Sequence, residues 1–94
     1  MSGMSENKDA TMRIRKFVLQ KFPLARRRAV TDDDNLLETG VVDSLGVLEL
    51  ATFMQQEFLI SVDDEDFTPE NFQNITSMAR FVERHVELQP GSAE

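Results

Sequence analysis

The stretch Gly40-Val41-Val42-Asp43-Ser44-Leu45-Gly46-Val47-Leu48-Glu49-Leu50 decides how this chain is read. Its apolar spacing changes at Asp43, where a loop is expected to become a helix. Asp43 is a favourable N-cap, because its carboxylate can accept a bond from an unpaired amide of the first turn. Ser44 is then the first helical residue, with its hydroxyl beside the positive end of the helix dipole. A phosphate ester at that hydroxyl meets free N–H donors and a favourable field. The same residues also read as an ordinary capped helix start with Ser44 merely solvated.

Downstream, Val47, Leu50, Ala51, Met54 and Phe58 recur at helical spacing and mark one core face of a helix over Ser44 to Phe58. Leu45, Leu48 and Thr52 form a second line running up from Ser44. A small bundle needs one stripe per helix, so the second is either a partner surface or is buried under the preceding loop. Gly46 weakens the first turn by about 1 kcal/mol relative to Ala; its expected role is close approach of a partner or of an attached group.

Upstream lies a long loop, Pro23 to Val42, with Leu24, Val30, Leu36, Leu37 and Val41 as internal anchors. Gly40 offers a positive φ just before the serine. A first helix is expected from Asp9 to Phe22, with Ile14, Phe17 and Val18 inward and Lys21 at the edge of the stripe. Pro23 ends it. Residues 1–8 read as a disordered leader.

Beyond Phe58, Ile60 and Val62 suit a short extended connector, and Asp63-Asp64-Glu65-Asp66 is an acidic run. Thr68-Pro69-Glu70-Asn71-Phe72 reads as a short helix with Thr at the cap and Pro in first position. Phe67 and Phe72 are expected as lids on the core. A last helix runs from Thr76 to Glu87, capped by Asn74 or Thr76, with Ile75, Met78, Ala79, Val82 and Val86 inward. Gln89-Pro90-Gly91 ends it, and residues 89–94 are expected to fray. The domain is therefore drawn at 9–88. Its class is all-α: an antiparallel bundle of three longer helices and one short one.

Composition narrows the chemistry. The chain has 94 residues, enough for one small domain with little room for an enclosed active site. It lacks Cys, which excludes a disulfide framework and a thiolate metal site. No apolar run reaches the length of a membrane span and no signal peptide is evident, so a cytoplasmic protein is expected. The net charge of −7 is uneven: residues 1–30 hold 8 basic and 2 acidic groups, residues 31–94 hold 2 basic and 15 acidic ones. The acidic body disfavours nucleic acid and favours enzymes with basic docking patches. Arg26-Arg27-Arg28 reads as a solvated loop or a neutralising contact to the acidic half.

Other chemistries fail on spacing. Gly-x-Ser-x-Gly is absent, and the single histidine, His85, has no sequence link to a serine. Asp32, Asp34 and Asp43 imitate parts of a calcium loop, but Leu36 and Leu37 stand where a ligand and a glycine are needed. No metal site and no catalytic residue are expected.

The run Asn35-Leu36-Leu37-Glu38-Thr39-Gly40-Val41-Val42-Asp43-Ser44-Leu45, with Glu57-Phe58 closing the helix downstream, resembles the phosphopantetheine attachment region of acyl carrier proteins. The resemblance covers Met12 to Val86. It implies a non-enzymatic carrier with a four-helix, acyl-carrier-like fold. A phosphopantetheinyl transferase attaches 4'-phosphopantetheine from coenzyme A to Ser44, and acyl or aminoacyl groups ride on it as thioesters. By the same resemblance Asp43 positions Ser44, while Leu45, Leu48, Glu49 and Thr52 meet the transferase, an acyl- or aminoacyl-loading ligase and later biosynthetic enzymes. Met54, Phe58, Val62 and Ile75 line the region for an acyl chain. A monomer without nucleic-acid or membrane partners is implied.

Two departures point to a specialised, free-standing carrier rather than the carrier of fatty acid biosynthesis. The helix after Ser44 offers only Glu49 and Glu57 as acids, and the connector from Val62 to Ile75 is longer. Such carriers serve adenylate-forming ligases, polyketide or nonribosomal peptide pathways. The seven Phe leave less room to bury a long acyl chain. The alternative of another class is a helical interaction module with Ser44 unmodified.

Overall fold

The computed structural model describes the backbone of residues 2–88 and the side chains of residues 9–86. It contains α1 (Ser2–Lys21), α2 (Pro23–Arg27), α3 (Ser44–Phe58), α4 (Pro69–Phe72) and α5 (Ile75–Leu88), with a 3-10 turn at Asp64–Asp66. No strand occurs among the described residues. The expected all-α class and three longer helices are present. No described helix is long and apolar enough to cross a membrane.

Three boundaries differ from expectation. First, α1 begins at Ser2 and so extends into the segment read as a leader. Second, residues 23–27, read as loop, form the short helix α2, giving two short helices instead of one. Pro23 does end α1, since it forces Phe22 into an extended conformation (φ −115°, ψ 103°). But Pro is also well suited to the first helical position, where its missing N–H has no partner to lose. The same residue therefore stops one helix and starts the next. Third, α5 begins at Ile75, because Asn74 is the cap: its Oδ1 accepts from the Ser77 amide at 2.7 Å. The fraying expected for 89–94 concerns residues outside the described ones.

The core joins one face of each long helix. Ile14 and Val18 of α1, Leu50, Ala51 and Met54 of α3, and Ile75, Met78, Ala79, Phe81 and Val82 of α5 are all buried. Val86 was expected on the α5 stripe but is exposed. Phe72 of α4 is buried and Phe67 stacks on it with ring centroids 5.6 Å apart, so both act as the expected lids.

The loop from Arg28 to Asp43 is held like an element of the core. Leu36 is fully buried, worth about 1.5–3 kcal/mol for such a side chain. Its amide donates to the Gln73 carbonyl at 2.7 Å, and its own carbonyl accepts from Val42 at 3.0 Å. Asn35 Oδ1 accepts from the amides of Leu37 and Glu38. At the other end, Thr76 donates through its amide to the Asp32 carbonyl and through its hydroxyl to Asp33. Arg15 bridges the Val30 carbonyl and Asp32. The arginine run is partly structural: Arg26 donates to the Leu19 carbonyl at the end of α1, and Arg28 to the Thr39 carbonyl. Among the described residues neither meets an acidic side chain. Gly40 has φ +78°, as its position before the helix requires.

Gly46 has a different role from the expected one. It is buried, and a Cβ there would lie 2.8 Å from Phe22 Cε1 and 2.9 Å from Val42 Cγ1. The glycine lets α3 approach the end of α1 and the loop, not a partner or an attached group. At the far end of the helix, Leu59 adopts φ 56°, ψ 47° while 79% exposed. A leucine pays for that left-handed cap without packing in return.

Two opposite stability changes follow. Gly46→Ala should lower the melting temperature: overpacking costs about 1–3 kcal/mol, against a propensity gain of about 1 kcal/mol. Leu59→Gly should raise it, through a gain in stability of about 1 kcal/mol. Thermal melts of the two variants beside the wild type check both signs.

Candidate functional site

The start of α3 is fixed from two directions. Asp43 is extended (φ −103°, ψ −171°), and its Oδ1 accepts from the Gly46 amide at 2.9 Å. Its backbone carbonyl accepts from Val47 at 2.9 Å, closing the first turn. Behind that turn Val41 and Val42 are buried, so the chain enters the helix from the core outward. Ser44 follows as the first helical residue and is exposed.

Beside Ser44 lies an open groove of about 420 Å³. Leu37, Val42 and Val47 form one side; Phe67, Pro69 and Phe72 form the other. Asp43, Ser44 and Thr68 supply the polar lining. The expected acyl-lining set is not found here. Met54 and Ile75 are fully buried in the core, Phe58 and Val62 are half-buried, and none of the four lines this groove. The connector folds over the α3 start and brings Phe67 and Pro69 there instead. Sequence reading marked Phe67 as a lid on the core, and its place beside Ser44 follows from how the connector packs, for which the sequence offers no local signal.

Leu45, Leu48, Glu49 and Thr52 are brought together on one exposed face of α3. Leu45 is 69% and Leu48 53% exposed, so burial under the loop is excluded. The four line a second open groove of about 420 Å³, whose other wall includes Phe17 and Lys21 of α1. Sequence reading placed Phe17 and Lys21 on the core stripe of α1 and missed this second role. The only hint was Lys21, a charged residue at the stripe's edge. Both acids of α3 meet cations of α1: Glu57 lies 3.0 Å from Arg13, and Glu49 lies 3.8 Å from Lys21.

The remaining candidates are engaged elsewhere. His85 Nδ1 lies 2.9 Å from the Phe81 carbonyl, and its ring packs on Phe81. Asp32 pairs with Arg15, Asp34 accepts from the Thr31 amide, and Asp43 from Gly46. Among the described residues no group of three or more His, Cys, Asp or Glu is arranged to hold a metal ion.

The chemistry this site suits is that of a covalently attached anion. An accessible hydroxyl stands at the positive end of a 15-residue helix. The Asp43 carboxylate is turned to the Gly46 amide, leaving the first two amides of the helix for another acceptor. A phosphodiester on Ser44 fits that environment, and the adjoining groove leaves space for what it carries.

Comparison with known proteins agrees. Residues 13–82 match the family described as "Phosphopantetheine attachment site". A probable acyl carrier protein, PigG, of a Serratia species is 35% identical over 49 residues, covering 52% of this chain and 56% of that protein. The D-alanyl carrier protein of Streptococcus pyogenes is 31% identical over 80 residues, covering 83% of this chain and 98% of that protein. The chain therefore belongs to the phosphopantetheine-binding family of carrier proteins, in which the prosthetic group is covalently bound.

Proposed function

We propose that Ser44 carries the 4'-phosphopantetheine and that this domain works as a carrier without catalytic activity of its own. The observation that carries this assignment is the exposed Ser44 in the first position of α3, beside a capping carboxylate already bonded to Gly46. The bound group supplies a terminal thiol on which acyl or aminoacyl groups are held as thioesters. This chain's residues anchor and present it. Asp43 fixes the helix start, and the Leu37–Phe67 groove receives the segment nearest Ser44. Tethering raises the local concentration of cargo at each enzyme in turn.

The partners of this reading are a phosphopantetheinyl transferase, a loading ligase and the enzymes that use the cargo, all in the cytoplasm. Leu45, Leu48, Glu49 and Thr52 form the face they meet, with the carrier monomeric. A specialised pathway, aminoacyl, polyketide or peptide, is favoured over general fatty acid synthesis. Support comes from α3, whose two acids, Glu49 and Glu57, are each within 4 Å of a cation on α1. The similarity to a D-alanyl carrier protein, over 98% of that protein's length, supports it as well.

Incubation with coenzyme A, magnesium and a broad-specificity transferase tests the assignment. Intact mass should rise by one phosphopantetheine for the wild type and stay unchanged for Ser44→Ala. A wild type that gains nothing while circular dichroism shows it folded would favour the unmodified interaction module. The cap has its own test. Asp43→Ala should cost about 1 kcal/mol of stability and slow modification. Asp43→Asn, which still caps, should retain most of the stability; an equal loss in both would show that the carboxylate charge, not the cap, is what matters.

A further inference from the structure

The single histidine, His85, lies on α5, far in sequence from Ser44, and is half-buried. Its Nδ1 is 2.9 Å from the Phe81 carbonyl, one turn back on the same helix. A carbonyl only accepts, so the proton of a neutral ring belongs on Nδ1. Nε2 is then bare in the neutral ring, and it faces a carboxylate: Asp66 Oδ2 lies 3.9 Å away. Two acceptors would stand opposite each other. Only the imidazolium, with a proton on each nitrogen, satisfies Phe81 and Asp66 together. Among the described residues Asp66 is the one acid within 4 Å of a ring nitrogen: α1, α3 and α4, which also pack on α5, bring none that close, and neither Glu83 nor Arg84, its charged neighbours on α5, pairs with the ring.

Asp66 is where the connector after α3 is tied together. The same Oδ2 accepts from the Asp63 amide at 2.9 Å and so closes the 3-10 turn at Asp64–Asp66. Its backbone carbonyl accepts from the Thr68 amide and from Asn71 Nδ2, each at 2.9 Å, which sets the start of α4. Phe67 and Thr68, the next two residues, line the groove beside Ser44. A second route reaches the same wall through rings. His85 packs on Phe81 with centroids 3.9 Å apart, Phe81 meets Phe72 at 6.3 Å, and Phe72 stacks on Phe67 at 5.6 Å. We infer that His85 and Asp66 are positioning residues for the groove beside Ser44. Their ion pair clamps the connector to α5 and holds Phe67 and Thr68 at the groove while the imidazole is protonated; loss of the Nε2 proton releases the clamp. The groove's hold on the phosphopantetheine arm therefore follows the charge of a residue on another helix. This last step rests on Ser44 bearing the arm and on the groove receiving it. The two side chains are 28% and 25% exposed, so solvent and salt screen this pair less than one at the open surface.

The unmodified protein decides whether the pair positions the wall, and the modified protein decides whether the arm responds. In the first, NMR shifts of the Phe67 ring and the Thr68 amide are followed from about pH 5.5 to about pH 8, the span in which an imidazole changes charge. They should move with the same midpoint as the His85 ring, and the movement should be lost in His85→Gln and in Asp66→Asn. Asparagine still accepts from the Asp63 amide, so Asp66→Asn removes the charge and keeps the turn; thermal melts confirm folding of both variants. Phe67 and Thr68 signals that stay still while the ring titrates, or that titrate alike in all three proteins, would overturn the positioning role. In the second, after transfer from coenzyme A, nuclear Overhauser contacts from the Phe67 ring to the arm should be about twofold or more stronger at about pH 6 than at about pH 8, and independent of pH in Asp66→Asn. Equal contacts at both values in the wild type would overturn the link to the arm. A folded chain that takes no arm would overturn the attachment assignment and that link with it, while the titration of the unmodified protein still decides the positioning role.

Discussion

The structure depends on how tightly the beginning of α3 is held. The Asp43 carboxylate and the Gly46 amide close the first turn. The missing side chain of Gly46 lets that turn rest on Phe22 and Val42. These two constraints come from opposite directions, one along the helix axis and one across it. Together they fix the position and direction of Ser44, and among the described residues no side-chain bond is recorded to the serine itself. That suits a residue whose hydroxyl must be available to an enzyme. A hydroxyl engaged in its own network would have to break it before reacting, while this one is held by its backbone alone.

The loop before α3 extends the same principle. Sixteen residues without regular structure would ordinarily leave the helix start loosely placed, since surface loops are the more mobile parts of a fold. Here the loop carries Val30, Leu36, Val41 and Val42 into the core. Its backbone is bonded to Gln73 ahead of α5 and to Thr76 within it. The connector after α3 then folds Phe67 and Pro69 over the opposite side of Ser44. Ser44 sits where three segments meet: the anchored loop, the helix and the connector.

Much of this arrangement was legible in the sequence. The limits of α3 were read correctly because capping chemistry at Asp43 and the apolar period agree, and local and global signals then point the same way. The positive φ of Gly40 was legible because few other roles suit a glycine at that point. Less legible were features set by tertiary packing. Pro23 signals both an end and a start, and only the continuation of the chain as Leu24-Ala25-Arg26 into a turn of helix decides that α2 forms. Gly46 cost the helix its propensity for a reason located partly at Phe22, between α1 and α2 and far away in sequence. Met54 and Ile75 satisfy a helical stripe and lie in the core, while the groove beside Ser44 is lined from the loop and the connector; a stripe reports burial without saying what lies above it. Phe17 and Lys21 were missed as site residues for the same reason: their period belongs to the core, and their second face appears only once α1 and α3 are packed.

Attachment of a phosphodiester at Ser44 would leave a mark on the mass of one residue. It is tested most directly by fragmenting the intact modified chain in the mass spectrometer, after production in cells that also express a phosphopantetheinyl transferase. The added mass should localise to Ser44 alone, between fragments ending at Asp43 and fragments beginning at Leu45. Localisation to another hydroxyl, such as Ser61 in the connector or Thr39 in the loop, would contradict the account, since neither stands at the capped start of a long helix.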